Sequence, residues 1–165
     1  MHIIAAGSVV ERNEKFLLVQ EGRKEFSGKW NLPCGELEAE ESFPECAIRE
    51  GKEETGYQFK IVGWLGQHHQ RPNKSFGGHS LIVNVFYAKI VGGEKTVPSD
   101  LMNVAWFTWK QINDMALNGE LVHPYVLNSI MAYRGYILIS SSNGEHTKNM
   151  IPIPSDRFKV YNTGL

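Results

Sequence analysis

Glu50, Glu53 and Glu54 fall at i, i+3 and i+4 inside Gly35–Tyr57, a stretch holding eight of the chain's 18 acidic residues. On a helix this spacing gathers three carboxylates into one narrow arc, with neighbouring Cβ atoms roughly 5–6 Å apart. Like charges so placed cost about 0.2–0.5 kcal/mol per pair. Glu53 and Glu54 also stand in the last turn, where the helix dipole opposes negative charge by about 0.3–1 kcal/mol. A divalent cation turns both penalties into binding free energy. Oxygen ligands that leave positions for water and phosphate suit Mg²⁺ or Mn²⁺. Taken alone, such an arc reads as a solvated helix face; the residues around it decide.

Those residues carry helix signals. Ser42 followed by Glu45 forms a capping box, Pro44 lies in the first turn where its missing N–H costs nothing, and Gly56 supplies a left-handed stop. The spacing predicts a helix over 43–55 that turns Phe43, Ala47, Ile48, Gly51 and Thr55 away from much of the acidic arc.

Gly35, then Glu41, then Arg49-Glu50-Gly51-Lys52-Glu53-Glu54-Thr55-Gly56-Tyr57 resembles the Nudix box, Gly-x5-Glu-x7-Arg-Glu-U-x-Glu-Glu-x-Gly-U with U bulky and apolar. Every invariant position is matched across 23 residues. One U position departs: Gly51 replaces an aliphatic residue. Glycine inside a helix costs about 1 kcal/mol against alanine, so it predicts close packing on the sheet. Trp30-Asn31-Leu32-Pro33-Cys34 resembles the family's lead-in strand, with Cys34 where Gly or Ala is common. The likeness extends over most of residues 1–135.

The resemblance implies an α/β (α+β) Nudix fold, a mixed β-sheet sandwiched between helices. It also implies metal-dependent hydrolysis of a nucleoside diphosphate linked to another moiety, by a metal-activated water. By motif position Glu50 and Glu54 would be the main metal ligands, Glu53 a further ligand or the general base, and the Gly35 carbonyl a completing ligand. Arg49, within reach of Glu45 and Glu53, would orient carboxylates, and Glu41 would tie the loop to the helix. Glu94 and Asp100 are alternative bases on a later loop. Phosphoryl transfer is largely positioning and charge neutralisation, and crowded carboxylates titrate together; activity at neutral to alkaline pH with millimolar metal is expected.

No further motif selects the substrate. A single small domain fits a MutT-type nucleoside triphosphate pyrophosphatase. Nucleotide sugars, ADP-ribose, dinucleoside polyphosphates or a non-nucleotide diphosphate remain alternatives. A non-catalytic Nudix-fold nucleotide sensor typically loses a box glutamate, and this chain keeps all of them.

The elements that must position these residues are legible in outline. With 165 residues, 42% hydrophobic and 21% charged, the chain makes one domain with a good core. A net charge of −1 offers no basic field to nucleic acid or an acidic membrane. Cys34 and Cys46 show no disulfide or zinc framework and read as free thiols. Ile3–Val10 lacks a basic leader and runs into Glu11-Arg12, and no apolar run reaches membrane-spanning length; a cytoplasmic protein is expected.

Strands are predicted over 3–10, 15–20, 58–67, 81–91 and 104–109, with helices over 111–118 and 123–134. Leu81–Val91 is apolar on both alternating faces, as in a strand covered on two sides. Asn84 interrupts it, either hydrogen-bonded in place or reading a polar substrate edge. Arg23, Lys24 and Lys29 precede the box, as solvated charge or as phosphate ligands. Arg71 and Lys74 have the same two readings in a loop running from His68 to His79. Adjacent His68 and His69 would point to opposite strand faces and so share no metal. Trp64, Trp106, Trp109 and Phe76 are core or rim residues, any one of which could stack on a nucleobase. Tyr136–Ile139 reads as an added strand. The domain is expected to span 1–140, with 141–165 an extension of unassigned role, a docked arm or a homodimer element.

Overall fold

The computed structural model describes residues 2–72 and 74–142, with side chains described as far as 135. The chain opens with a hairpin whose two-residue turn is set by left-handed backbone. β1 (His2–Arg12) and β2 (Lys15–Glu21) are joined through Asn13 and Glu14, at φ 53° and 60°, as the twist of a tight hairpin demands. β3 (Trp30–Asn31), β4 (Cys34–Glu36), β5 (Tyr57–Gln70), β6 (Ser80–Gly93) and β7 (Leu101–Thr108) complete a seven-stranded sheet.

The strand order is β3-β2-β1-β6-β5, with β4 also on β1 and β7 also on β2. β1 runs parallel to β6 from His2↔Ser80 to Val10↔Ala88, whereas the other pairings are antiparallel. Side chains alternate across the strands, so the two faces of β1 meet different partners. Ala5 and Val9 join a core with Leu18, Leu32, Val83, Val85, Ile112, Val126 and Ile130. That core brings in α2 (Trp109–Leu117) and α3 (Pro124–Ser142). On the other face Ala6 and Phe86 receive Cys46 and Ala47 of α1 (Phe43–Thr55). The mixed sheet is therefore sandwiched between helices, as expected.

α1 has the predicted bounds. Glu45 reaches back to accept the Ser42 N–H at 2.8 Å, and Gly56 closes the helix at φ 76°. Gly51 is buried where a Cβ would lie inside 3 Å of the Phe59 ring, so the departure from the motif does mark close packing. Ile48 is 37% exposed, and Cys46 and Ala47 are residues of this helix that face the sheet. Their small size lets the helix settle onto Ala6.

Other boundaries shift. Tyr136–Ile139 is not a strand but the continuation of α3; a four-residue apolar run does not by itself distinguish helix from strand. Trp109 opens α2 rather than ending β7, because Thr108 and Gln111 form a second capping box there. β5 continues to Gln70, β6 through Gly92 and Gly93, and β7 starts at Leu101. Residues 143–165, most of the predicted extension, lie outside the described part. Among the described residues no helix is long and apolar enough to cross a membrane.

Candidate active site

β4 sets the floor of the acidic arc. It pairs with β1 through Gly35↔Ala6 and Cys34↔Gly7, which places its backbone beside the last two turns of α1. A side chain at Gly35 would overlap the Glu50 carboxylate, so the glycine is what lets that carboxylate lie on the backbone. The Glu50 side chain is only 13% exposed. Glu54 is partly buried and accepts the Cys34 N–H at 2.9 Å. Burial raises both carboxyls above the ordinary range, Glu54 well above it; the Arg49 hydrogen bond partly offsets the rise at Glu50 and the Cys34 N–H that at Glu54. Glu53 stands at the rim, 60% exposed.

Arg49 is the hub. Its Nε and Nη2 grip Glu41 at 3.1 and 2.7 Å, Nη1 reaches Glu50 at 2.6 Å and Glu53 at 3.2 Å, and Nη2 also meets the Glu36 carbonyl at 3.0 Å. Orientation of carboxylates by Arg49, and a loop tied down through Glu41, are what the geometry provides. The expected contact with Glu45 is not made. Glu45 is spent on the Ser42 cap, and Glu41 takes its place. The two-pronged contact, with the Glu38 N–H, holds the Glu41 carboxyl down at about 2.

The cationic candidates separate. Arg23 pairs through two hydrogen bonds with buried Glu21 and lies within electrostatic reach of Glu54. Lys24, Lys29, Arg71 and Lys74 are exposed, and no described contact joins them to the carboxylates. Glu94 packs its backbone at Gly56 and Asp100 at Gly22, both side chains exposed.

Beside Arg23 the opposite sheet face carries a run of rings. Phe26 and Phe76 lie 5.3 Å apart, Phe76 and His123 stack at 5.5 Å, and His123 and Tyr125 stack at 6.2 Å. His68 follows at 6.0 Å from Tyr125, its Nε2 bonded to Ser129 at 2.9 Å. The two histidines do separate across β5: His68 turns to α3 and His69 to solvent. Trp106 and Trp109 are covered by Arg12 and Arg134, each at 4.5 Å. Asn84 is buried on the α1 face, across the sheet from the rings. Its Nδ2 and the Ser8 hydroxyl are without hydrogen-bond partners among the described residues.

Residues 1–129 match the NUDIX domain family. The chain belongs to this family. Among its NUDIX relatives is a Caenorhabditis elegans nudix hydrolase, 34% identical over 117 residues, a match covering 68% of this chain but 30% of that protein. An ADP-ribose pyrophosphatase of Methanocaldococcus jannaschii is 29% identical over 119 residues, covering 72% of this chain and 69% of the relative. A NUDIX hydrolase structure from Nitrosomonas europaea superposes with a TM-score of 0.73 at 26% identity, covering 82% of this chain and 90% of that one.

NUDIX hydrolases act on pyrophosphate bonds and generally use divalent metals. The NUDIX donor set here fits a hard cation: all oxygen, crowded, two carboxyls raised by burial, and a backbone cradle that any side chain at residue 35 would fill. Among the described residues no three His, Cys, Asp or Glu side chains are already disposed as a cage. Arg49 Nη1 hydrogen-bonds both Glu50 and Glu53.

Sequence reasoning missed Glu21, Asn31, His123 and Tyr125. Glu21 falls just past the predicted strand over 15–20, yet it ends β2 and is 2% exposed. Asn31, a polar residue between Trp30 and Leu32, was the available signal that a buried hydrogen-bond network lies there.

Proposed function

We propose that this chain hydrolyses the phosphoanhydride of a nucleoside diphosphate derivative with Mg²⁺ or Mn²⁺, a nucleoside triphosphate being the substrate. The observation that carries the reading is the convergence of Glu50 and Glu54 on β4, Glu50 against Gly35 and Glu54 on the Cys34 N–H, with Arg49 bonded to Glu50 and Glu53. Glu50, Glu54 and the Gly35 carbonyl would hold the cation. When bound, such a cation neutralises phosphate charge and acidifies water. Glu53, at the open rim, accepts the proton of the attacking water, and Arg49 keeps the carboxylates in register. Arg23 offers positive charge to the phosphates. Phe76 and His123, stacked on each other and half-buried, offer ring faces near it against which a base can lie.

ADP-ribose is the second reading, favoured by the likeness to the archaeal ADP-ribose pyrophosphatase. Incubation with nucleoside triphosphates, ADP-ribose, diadenosine polyphosphates and nucleotide sugars, with products identified, separates the two. Pyrophosphate release from a triphosphate supports the first; AMP with ribose 5-phosphate supports the second. EDTA is expected to abolish turnover and Mg²⁺ or Mn²⁺ to restore it, and turnover that survives EDTA refutes the mechanism.

A further inference from the structure

A carboxylate as deeply buried as Glu21 is costly unless it is paired and hydrogen-bonded. Glu21 is fully served. Arg23 donates Nε to Oε2 at 2.9 Å and Nη2 to Oε1 at 2.8 Å, and Asn31 Nδ2 donates to Oε1 at 3.0 Å. Asn31 in turn accepts the Tyr125 hydroxyl at 2.6 Å, which links the pair to the run of rings. The backbone is fixed as well. Glu21 N–H donates to the Lys29 carbonyl, Gly28 N–H returns to the Glu21 carbonyl, and Gly22 packs on the Asp100 carbonyl with no room for a Cβ.

This investment is poorly explained by stability. A buried ion pair is often no better than apolar residues of the same volume. What a two-pronged arginine–carboxylate contact does supply is orientation. With Nε and Nη2 committed to Glu21, Nη1 makes no hydrogen bond among the described residues, and the Arg23 side chain remains 58% exposed. The Phe26 ring lies 5.5 Å from the guanidinium carbon. Asn31, which donates to Glu21, stands three residues before Cys34, whose N–H serves Glu54, so the ion pair borders the acidic arc.

We infer that Glu21 is a positioning residue for substrate binding: it holds the Arg23 guanidinium beside the acidic arc so that its open edge takes a phosphate oxygen of a diphosphate. This rests on the diphosphate reading above. Glu21 itself touches no substrate; its whole effect passes through Arg23. A neutral glutamine at 21 keeps an acceptor but loses the charge that makes the clamp firm, so Arg23 samples other rotamers and binding weakens.

The test is a double-mutant cycle of Glu21→Gln and Arg23→Gln, read two ways. Affinity for methylenediphosphonate, a non-cleavable diphosphate, is measured by calorimetry with Mg²⁺; KM and kcat are measured on the best substrate of the panel. Each single change is expected to weaken diphosphonate binding by about tenfold, the scale of one charge-assisted hydrogen bond, and to raise KM more than it lowers kcat. The double variant is expected to be no weaker than Arg23→Gln alone. It also leaves no unpaired buried charge, so it keeps the cycle readable if Arg23→Gln alone unfolds; in that case Glu21→Gln and the double variant must share one affinity. Additive losses, or an unchanged affinity in Glu21→Gln, overturn the inference. Coupled binding in a protein that cleaves no substrate would refute the hydrolase reading and leave this one standing. Normal cleavage with additive losses would do the reverse.

Discussion

Gly51→Ala tests whether the seating of α1 on Phe59 is what places the carboxylates. A Cβ at this position would fall inside 3 Å of three ring atoms of Phe59, where ordinary contact begins at 3.4 Å. The ring cannot retreat, because Phe59 is 4% exposed and is packed among Val10, Leu17, Ala88, Leu101 and Val104. The helix must therefore lift by about 1 Å. Overpacking of this kind costs about 1–3 kcal/mol, and the gain in helix propensity returns about 1 kcal/mol. The net loss of about 0–2 kcal/mol lowers the melting temperature by no more than about 8 °C at this chain length.

The functional loss is expected to be larger. Glu50 adjoins residue 51 and Glu54 follows three positions on, so a lift of about 1 Å costs roughly 100-fold in turnover. Melting curves and kcat/KM on the same preparations make the comparison. Adding Phe59→Leu to Gly51→Ala is expected to recover part of both, though Phe59→Leu alone is destabilising; this is the sign of direct coupling. A Gly51→Ala protein that melts higher than the parent with undiminished kcat/KM would refute the reasoning.

Two further outcomes follow from the carboxylates. Burial raises the Glu54 carboxyl well above its ordinary 4.5, so its protonated form favours the fold; that contribution is present below pH 4.5 and is lost as pH rises through the folded value. Glu54→Gln in EDTA is therefore expected to melt higher than the parent at neutral pH. It should also lose the melting shift given by Mg²⁺ and more than about 100-fold in turnover; an equal Mg²⁺ shift in both proteins would remove Glu54 from the cation site. Glu41 has the opposite sign. Arg49 holds it at about 2 against 4.5, so its contribution is present above pH 4.5 and disappears as pH falls toward 2. Arg49→Gln is expected to flatten the acid limb of the melting-temperature profile across that window, and an unchanged limb would contradict the assignment.

The sequence made legible what local rules govern. The bounds of α1, its cap at Ser42, its stop at Gly56 and the meaning of Gly51 all follow from positions a few residues apart. The two-faced apolar pattern of β6 likewise announced layers on both sides. What failed to show was decided by partners distant in the chain. Arg49 chose Glu41 over Glu45 because the cap had already claimed Glu45. Glu21 looked like loop because nothing near it in sequence reveals that Asn31, and through it Tyr125, would close over it. Tyr136–Ile139 was misread because four apolar residues carry no period of their own.

The parallel pairing of β1 with β6 bears on how the protein is made. Residues 2–10 leave the ribosome well before residues 80–88, the neighbours they pair with. At about 5–20 residues per second the opening strand waits on the order of ten seconds for its mate. Until then the floor beneath the acidic helix is half laid. A nascent chain arrested before residue 80 is thus expected to bind no metal at this site, however complete its motif.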